Sequence, residues 1–438
     1  MTTVRVLGEL DLTLAWDGHD LHDGALLAGP AIPYDLRGAA AGVYRDAAGG
    51  SRILRDPLGI NKLFWAREAA DGVVVAARPR QLVDQGHRFA EIHAIPRGSV
   101  FDVAPAQSQP VHHSIIPDAW RSPTPGRTGL EQVALGIRRR LDGYLAALAS
   151  AYGSAPVFVC LSGGLDSSGI AGLASRHFPQ LVAVSFDLER QGRSESDDRR
   201  TARRLAADLG LPMLEATASE DELLDKVDTV LVEGVDWRDF NVHAALVNAV
   251  LAKAVADSLP ERDAASPAIV LTGDLANEFM ADYHAERYKD ATYYALPRLS
   301  PAALRANLVR GLDTTHREVG IFAAWGLAVV QPYAVAVDAY LELGEDVLGR
   351  DDGKQRLCRA VFGDLIPPYV YSRPKVRAQA GSADLGGGVL AACVDRGLDA
   401  GWLRRRFSDL HDVADPRELD RFMRAGRYRT APPFVSGE

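Results

Sequence analysis

The sequence predicts an α/β protein in which a small, mostly antiparallel β-rich domain precedes a parallel sheet covered by helices. Two observations carry this fold class. Residues 1 to about 103 contain short apolar stretches separated by turn residues, which is typical of β-strands. Residues 157–273 alternate strand patterns with helical patterns, and such βαβ alternation indicates a parallel sheet. From about residue 301 onward the patterns are mainly helical, so a helical C-terminal part is expected.

Length, charge and cysteine content narrow the class of protein. At 438 residues the chain is longer than one average domain, so two domains are expected. The net charge of −9 argues against a nucleic-acid partner. No apolar run reaches membrane-spanning length, and residues 1–5 do not resemble a signal peptide. The cysteines Cys160, Cys358 and Cys393 are widely spaced and suit neither a disulfide framework nor a zinc site, which favours a cytoplasmic location. The sequence does not indicate an oligomeric state.

The first domain is predicted to consist of short strands joined by turns. Strands are expected at residues 4–14, 40–44 and 72–77. Residues 55–60 form a turn, and residues 95–103 form a turn followed by a strand. We find no cluster of catalytic residue types in this domain.

A proline-rich stretch separates the two predicted domains. Residues 104–127 contain five prolines and are expected to form a linker. The predicted division is a first domain over residues 1–112, a linker over 113–127 and a second domain over 128–438. The second domain opens with an amphipathic helix over residues 128–151. Its apolar positions are Leu130, Val133, Ile137, Leu141, Leu145 and Leu148.

The second domain is predicted to bind its ligand at one edge of its sheet. Its strands are expected at residues 157–161, 181–186, 212–215 and 268–273, and its helices at 166–176, 198–209 and 220–231. Ligands of such sheets bind at the carboxyl ends of the strands. The loop that follows Leu161, the end of the strand at Ser185 and the loop that begins at Gly273 should therefore lie together.

The strongest motif is Ser-Gly-Gly-Leu-Asp-Ser-Ser at residues 162–168, directly after a buried strand. Free N–H groups at the helix start, with the hydroxyls of Ser162, Ser167 and Ser168, can bind phosphate oxygens. Asp166 could hold a divalent cation on those phosphates. An ordinary strand-to-helix turn capped by serine is the alternative. No Lys-Ser or Lys-Thr follows the glycines, so the loop is not a Walker P-loop. It resembles the signature of ATP pyrophosphatases, which cleave ATP between the α and β phosphates.

Two later motifs supply acids. Gly273 ends a strand and is followed by Asp274 and Glu278, which could also be acids that favour a helix N-terminus. Arg317 and Glu318 form a pair that would be a base and its orienting partner if it faced a cleft. A solvated helix end is the alternative for this second pair.

Basic residues cluster late in this acidic chain. Lys354, Arg373 and Lys375 are candidates for phosphate or adenylate contacts. The glycine-rich residues 381–388 follow Lys375 and are predicted to form a mobile loop over the site. Each of these signals is weak alone, and their order along the chain makes them informative.

Taken in order, these motifs resemble the asparagine synthetase superfamily. The turns at residues 55–59 and 95–98, the loop at 162–168, the pair Arg317–Glu318 and the Arg-Pro-Lys motif at 373–375 carry the resemblance. The branch that it points to lacks glutaminase activity and includes β-lactam and carbapenam synthetases and lasso-peptide cyclases. The resemblance implies a degenerate Ntn glutaminase-like first domain. It implies a doubly wound ATP-pyrophosphatase sheet in the second, with ATP and Mg²⁺ as cofactors.

The resemblance also implies roles for individual residues. Lys375 would stabilise negative charge, while Glu318, aided by Asp274, would accept a proton. Asp166 and Glu278 would hold the metal. The ATP-binding residues would be Leu161, Ser162, Gly163, Gly164, Asp166, Ser167, Ser168, Val184, Ser185, Phe186, Gly273 and Lys354.

Three departures from the family pattern shape the expected function. Thr2 stands where the glutaminase requires a cysteine, and no cysteine precedes Cys160, so ammonia release from glutamine is not expected. Asp274 stands where β-lactam synthetases have a tyrosine. Asn277 stands at the second magnesium-binding aspartate of the family, and Glu278 could substitute for that ligand.

The expected function is that of an ATP-dependent carbon–nitrogen ligase that forms an acyl-adenylate and releases AMP and pyrophosphate. The substrate would be an amino-acid-like molecule or peptide with a carboxylate and an amine. Closure of a lactam or another amide in a specialised metabolite, such as an antibiotic, is favoured. Peptide macrocyclisation and ammonia-dependent amidation are alternatives within the family. A non-catalytic binding or scaffold homologue is the alternative of another class.

Overall fold

The computed structural model describes most of the chain. The described residues are 4–7, 40–45, 51–68, 72–103, 111–121, 129–189, 195–260, 268–280, 282, 285–295, 299–312, 317–348, 350–373, 378, 388–424 and 426–430. Thr2, Lys375 and residues 381–387 lie outside them, so the predictions made for these positions stay predictions. None of the helices in the described part is both long and apolar enough to cross a membrane.

Two four-stranded sheets form the N-terminal part, as the sequence predicted. The first has the order β1-β5-β4-β6 and the second the order β2-β3-β7-β8. All pairs are antiparallel except β1 and β5, which are parallel. The elements are β1 (Val4–Leu7), β2 (Ala41–Arg45), β3 (Ser51–Arg55), β4 (Phe64–Arg67), β5 (Val73–Ala76), α1 (Pro79–Asp84), β6 (His93–Ala94), β7 (Ser99–Val103), β8 (Val111–Ser114) and α2 (Asp118–Arg121).

The first of these sheets is buried on both faces. Because successive side chains of a strand point to opposite faces, Trp65 and Val75 pack towards the second sheet. Phe64 and Val74 point the other way, into the main core of the molecule. The N-terminal part therefore shares a core with the rest of the chain.

The proline-rich stretch contains regular structure. The strand β8 pairs with β7, and the helix α2 brings Trp120 into the main core. Trp120 Nε1 donates a hydrogen bond to Asp338. The predicted domain boundaries at residues 112 and 127 stay predictions.

A five-stranded parallel sheet organises the second part of the chain. Its order is β11-β10-β9-β12-β15, so the order reverses next to β9. Since crossovers are right-handed, this reversal places helices on opposite faces, and ligands bind where it occurs. The elements are α3 (Leu130–Tyr152), β9 (Val157–Cys160), α4 (Leu165–Ala174), β10 (Val182–Glu189), α5 (Asp197–Asp208), β11 (Met213–Ser219), α6 (Glu220–Leu224), α7 (Val227–Gly234), α8 (Asp239–Ser258), β12 (Ile269–Leu271), α9 (Ala276–Met280), β13 (Glu286–Tyr288), β14 (Ala291–Tyr293), α10 (Pro301–Arg310), α11 (Glu318–Ala323) and β15 (Ala328–Val330).

Several predicted elements are confirmed and others are corrected. The predicted helix at 128–151 is α3, and five of its six predicted apolar positions are buried while Leu130 is half-buried. The helix predicted over 220–231 is two helices, α6 and α7, because α6 ends at Leu224 after one capped turn. The sequence pattern missed α8, which is buried on most sides and so lacks the polar stripe of an amphipathic helix.

The C-terminal part is mainly helical, as predicted, and it packs back onto the N-terminal sheets. Phe422 and Tyr428 contact Phe64 through their rings. The remaining elements are α12 (Val337–Leu341), α13 (Glu345–Leu348), α14 (Gly353–Phe362), α15 (Pro368–Ser372), α16 (Gly388–Asp395), α17 (Ala400–Leu410), α18 (Arg417–Phe422), β16 (Met423–Arg424) and β17 (Arg427–Tyr428).

Candidate functional site

The Ser-Gly-Gly loop joins β9 to α4 and is held in shape by its own groups. The Ser162 N–H donates to Ser167 Oγ at 3.2 Å, and the Gly164 N–H donates to Ser162 Oγ at 3.3 Å. Gly163 has φ +71°, and a Cβ there would lie 2.6 Å from Thr201 Cγ2, so glycine is required. The loop therefore has a defined shape, with the N-terminus of α4 behind it.

A second loop, which follows β12, presses against the first. A Cβ at Gly273 would lie 2.7 Å from the Ser167 nitrogen and 2.9 Å from the Asp166 carbonyl carbon. On another side, Tyr333 Oη donates to the Asp166 carbonyl oxygen at 3.0 Å. The absence of a side chain at Gly273 lets the ends of β9 and β12 meet, as predicted for a common edge.

The carboxylate of Asp166 is paired with a lysine. Lys354 Nζ lies 2.5 Å from Asp166 Oδ2, 2.5 Å from Asn277 Oδ1 and 3.4 Å from Asp282 Oδ2. Burial favours a low pKa for Lys354, but the carboxylates of Asp166 and Asp282 outweigh it and raise the pKa above its ordinary value. Lys354 thus carries a positive charge beside the Ser-Gly-Gly loop of residues 162–168, which is called the phosphate loop below for its expected ligand.

Asp166 and Glu278 are the candidate ligands for Mg²⁺. Among the described residues, no group of three or more His, Cys, Asp or Glu side chains could hold a metal ion. Mg²⁺ is commonly held by only one or two carboxylates together with nucleotide phosphates. Asp166 and Glu278 fit that role, because both line the cavity and Asp166 Oδ1 is buried without a hydrogen-bond partner. The side chain of Asn277, at the position of the expected second metal ligand, contacts the Lys354 ammonium group.

Asp274, Arg317 and Glu318 form an acidic centre near the phosphate loop. Arg317 Nη2 lies 3.9 Å from Asp274 Oδ1, and Arg317 Nη1 lies 3.9 Å from Glu318 Oε2. Glu318 is 1% exposed and accepts a hydrogen bond from Gln331 Nε2. Burial and the charge of Glu318 raise the pKa of Asp274 to about 7, against the opposing effect of Arg317.

A single cavity of about 470 Å³ connects these groups. Asp274 and Arg317 line it, whereas Glu318, 3.9 Å from Arg317, is not among its lining residues. Gly163 and the fully buried Ser168 are not among its lining residues. The remaining predicted ATP-binding and metal residues on its wall are Leu161, Ser162, Gly164, Asp166, Ser167, Val184, Ser185, Phe186, Gly273, Glu278 and Lys354.

One face of α8 forms an apolar wall that the sequence did not predict. Phe240, Ala244, Val247 and Leu251 follow one another at helical spacing along this wall. That spacing was the available signal, but it identifies a helix face rather than a ligand. The wall gives the cavity an apolar half opposite its charged half.

Arg373 connects the Arg-Pro-Lys motif to the phosphate loop. Its guanidinium donates to the Ser162 carbonyl oxygen at 3.2 Å and to Asp198 on α5. Burial raises the pKa of Asp198 to about 6, although the Arg373 charge opposes this shift. The contacts of Arg373 bring the start of the motif to the cavity wall, two residues before Lys375.

Comparison with known proteins agrees with the parallel sheet and its phosphate loop. Residues 146–320 match the family described as asparagine synthase. The chain is 27% identical over 309 residues to a carboxyethyl-arginine β-lactam synthase of Streptomyces clavuligerus, covering 66% of this chain and 52% of that protein. The chain thus spans about half the length of this relative. The chain therefore resembles the asparagine synthetase superfamily in its parallel-sheet region, and it is similar to a β-lactam synthase over about two thirds of its length.

Two solved structures show weaker similarity. An NMN synthetase from Francisella tularensis has a TM-score of 0.32 at 13% identity, covering 70% of this chain and 99% of that chain. An NH3-dependent NAD synthetase from Campylobacter jejuni has a TM-score of 0.25 at 16% identity, covering 36% of this chain and 62% of that chain. Scores this low support no conclusion about function.

Proposed function

We propose that this protein is an ATP-dependent ligase that forms an amide bond by way of an acyl-adenylate and releases AMP and pyrophosphate. One observation carries the proposal. A single cavity joins a preformed phosphate loop, with Lys354 beside it, to the acidic centre of Asp274 and Arg317. The family match and the β-lactam synthase relative support the same reaction class.

The phosphate loop would bind the triphosphate of ATP. Ser162, Ser167 and the N-terminus of α4 would face the phosphates, and Lys354 would add a positive charge. Asp166 and Glu278 would hold a Mg²⁺ ion, which would neutralise charge on the leaving pyrophosphate. A substrate carboxylate oxygen then attacks the α phosphorus, and the bond between the α phosphorus and the bridging oxygen breaks. Lys375 would stabilise the negative charge that develops.

The acidic centre would serve the second half of the reaction. The amine nitrogen attacks the acyl carbon, the bond between that carbon and the AMP oxygen breaks, and AMP leaves. Asp274 lies on the cavity wall with a pKa of about 7, so it is suited to receive the amine proton near neutral pH. Glu318, which lies 3.9 Å from Arg317, would be the second member of the base. We propose that the amine comes from the substrate itself, because an intramolecular amine gains most from proximity.

A substrate panel tests this proposal. The panel would begin with carboxyethyl-arginine, after which the similar β-lactam synthase is named, and add short peptides and amino acids with and without ammonium. We expect at least one compound to support matched release of AMP and pyrophosphate without glutamine. An intramolecular amine gains most from proximity, so compounds with both groups should react fastest. Ammonium dependence would instead favour amidation.

A lysine variant checks the role of the Arg-Pro-Lys motif. We expect Lys375→Met to bind ATP yet lose nearly all pyrophosphate release, because the charge that stabilises the transition state is removed. Lys253→Met is the matched control, since Lys253 is exposed and forms a surface ion pair with Asp257, four residues later. Normal turnover in Lys375→Met, or no AMP formation by the native chain with any panel compound, would contradict the proposal.

A further inference from the structure

Two turns of the N-terminal part, at residues 55–61 and 95–98, are tied into one buried unit. Arg55 donates to the Asn61 carbonyl oxygen at 2.8 Å and to the Ile95 carbonyl oxygen at 2.7 Å. The Asp56 carboxylate accepts from the backbone N–H groups of Ile60 at 2.9 Å and Asn61 at 3.0 Å. Arg55 and Asp56 are both fully buried, so this unit is a rigid base for the residues next to it. The proposed chemistry gives these two turns no role.

From this unit, contacts reach the end of α10, shortly before Arg317. Arg97 donates to the carbonyl oxygens of Val309 and Arg310, which end the helix. The Leu312 N–H donates to the Leu58 carbonyl oxygen at 2.6 Å. Gly311 has φ +88°, and a Cβ there would lie 1.9 Å from Arg97 Cδ. The C-terminal end of α10 therefore accommodates the Arg97 side chain, whose charge suits a helix C-terminus.

Two more basic side chains of the N-terminal part reach the end of α7. Lys62 Nζ donates to the Gly234 carbonyl oxygen at 2.5 Å. Arg78 Nε donates to Glu233 Oε2 at 2.8 Å. Both side chains are buried, at 5% and 4% exposure, and a helix C-terminus favours positive charge. Burial lowers the pKa of Lys62 to about 7, against the opposing charges of Asp236 and Glu318.

The end of α7 in turn packs against the start of α11, where Glu318 lies. A Cβ at Gly320 would lie 2.2 Å from the Glu233 carbonyl oxygen and 2.6 Å from Arg78 Nη2. A Cβ at Gly234 would lie 3.6 Å from Arg317 Cβ. Contacts that begin in the N-terminal part thus reach the residues on both sides of Glu318.

We propose that Arg78 and Lys62 are positioning residues for the Arg317–Glu318 pair. By this account the N-terminal β-rich part holds the base of the amide-forming step in place, although no glutaminase role is assigned to it. The inference rests on the proposed function only in one respect, which is that the step served by the Arg317–Glu318 pair is amide formation. The contacts that hold α11 do not depend on the substrate.

The test uses the full-length chain and the variants Arg78→Ala, Arg78→Lys, Lys62→Met and, as a control, Arg88→Ala. Arg88 is exposed and pairs with Glu91 three residues away. Hydrogen exchange of the amides in α11 is measured without ligand. We expect Arg78→Ala and Lys62→Met to speed exchange there about tenfold, because each loses a buried hydrogen bond to the end of α7. Arg88→Ala should leave it unchanged, and Arg78→Lys should restore much of the protection by keeping a cation beside Glu233.

A kinetic readout separates positioning from loss of stability. With the panel compound that supports pyrophosphate release, Arg78→Ala and Lys62→Met should lower amide formation about tenfold. Exchange of labelled pyrophosphate into ATP, which reports adenylation alone, should stay within about twofold of the native rate. An equal fall in both rates, or native-like exchange in α11 in both variants, would overturn the inference. If the native chain activates no panel compound, the proposed function fails, whereas the hydrogen-exchange result still decides the positioning.

Discussion

The phosphate loop and the acidic centre share one cavity but are held in different ways. The loop is held by distant residues such as Tyr333 and Lys354, but it also has hydrogen bonds between its own groups, such as those of Ser162 and Ser167. Glu318 is held by Gln331, and Gly320, two residues later, packs against Arg78, which stands more than 200 positions earlier in the chain. We infer that the phosphate loop keeps part of its shape through local contacts, whereas the amide-forming half depends on contacts between distant parts of the chain.

This comparison predicts that the two half-reactions can be separated by mutation. The largest separation is expected for Glu318→Gln. Amide formation should fall about 10²-fold because half of the base is lost, while pyrophosphate exchange into ATP should persist. Glu131→Gln, on the exposed first turn of α3, is the matched control.

The pH dependence of the same variant sharpens the prediction. The charge of Glu318 contributes to raising the pKa of Asp274 to about 7, so its removal should lower that pKa. A base must be ionised, and the native rate of amide formation should therefore fall as the pH decreases through about 7. In Glu318→Gln this fall should begin at a lower pH. An acid limb that does not move would argue against Asp274 as part of the proton path.

A smaller effect, on the other half of the site, is expected for Gly273→Ala. The new methyl group would meet backbone atoms of Asp166 and Ser167 at less than 3.0 Å, so the phosphate loop must shift. We expect ATP affinity to fall about tenfold, which corresponds to roughly 1.4 kcal/mol. Both half-reactions should weaken together.

Gly143→Ala is the control for that substitution. Gly143 lies within α3, and a Cβ there would meet nothing within 4 Å. Helix propensity predicts that this variant is more stable by roughly 0.5–1 kcal/mol, with unchanged ATP binding. Titration calorimetry and thermal unfolding would show both results. Unchanged ATP affinity in Gly273→Ala would contradict the close contact between the two loops.

The sequence predicted the local half of the site better than the distant half. Residues 157–166 contain an apolar strand, two glycines and an acid within ten positions, so the local sequence is enough to predict a strand, a loop and a helix. The structure has these elements close to the expected positions. The meeting of the loops at Gly273 also followed from the βαβ pattern. The pairing of Lys354 with Asp166 did not, because 188 positions separate them and only the folded chain brings them together.

The sequence pattern also failed to predict the long helix α8 and the burial of Lys62 and Arg78. α8 has no polar stripe to mark it. Lys62 and Arg78 are charged residues, which the pattern places on the surface, yet both are buried against the ends of other elements. The roles assigned to the individual site residues stay proposals.

Transfer of oxygen from the substrate tests the central claim most directly. The carboxylate of the active panel compound is labelled with oxygen-18, and the nucleotide product is analysed by mass spectrometry after one turnover. Attack of that carboxylate on the α phosphorus predicts one labelled oxygen in AMP and none in pyrophosphate. Unlabelled AMP, or formation of ADP with labelled phosphate, would contradict the acyl-adenylate account.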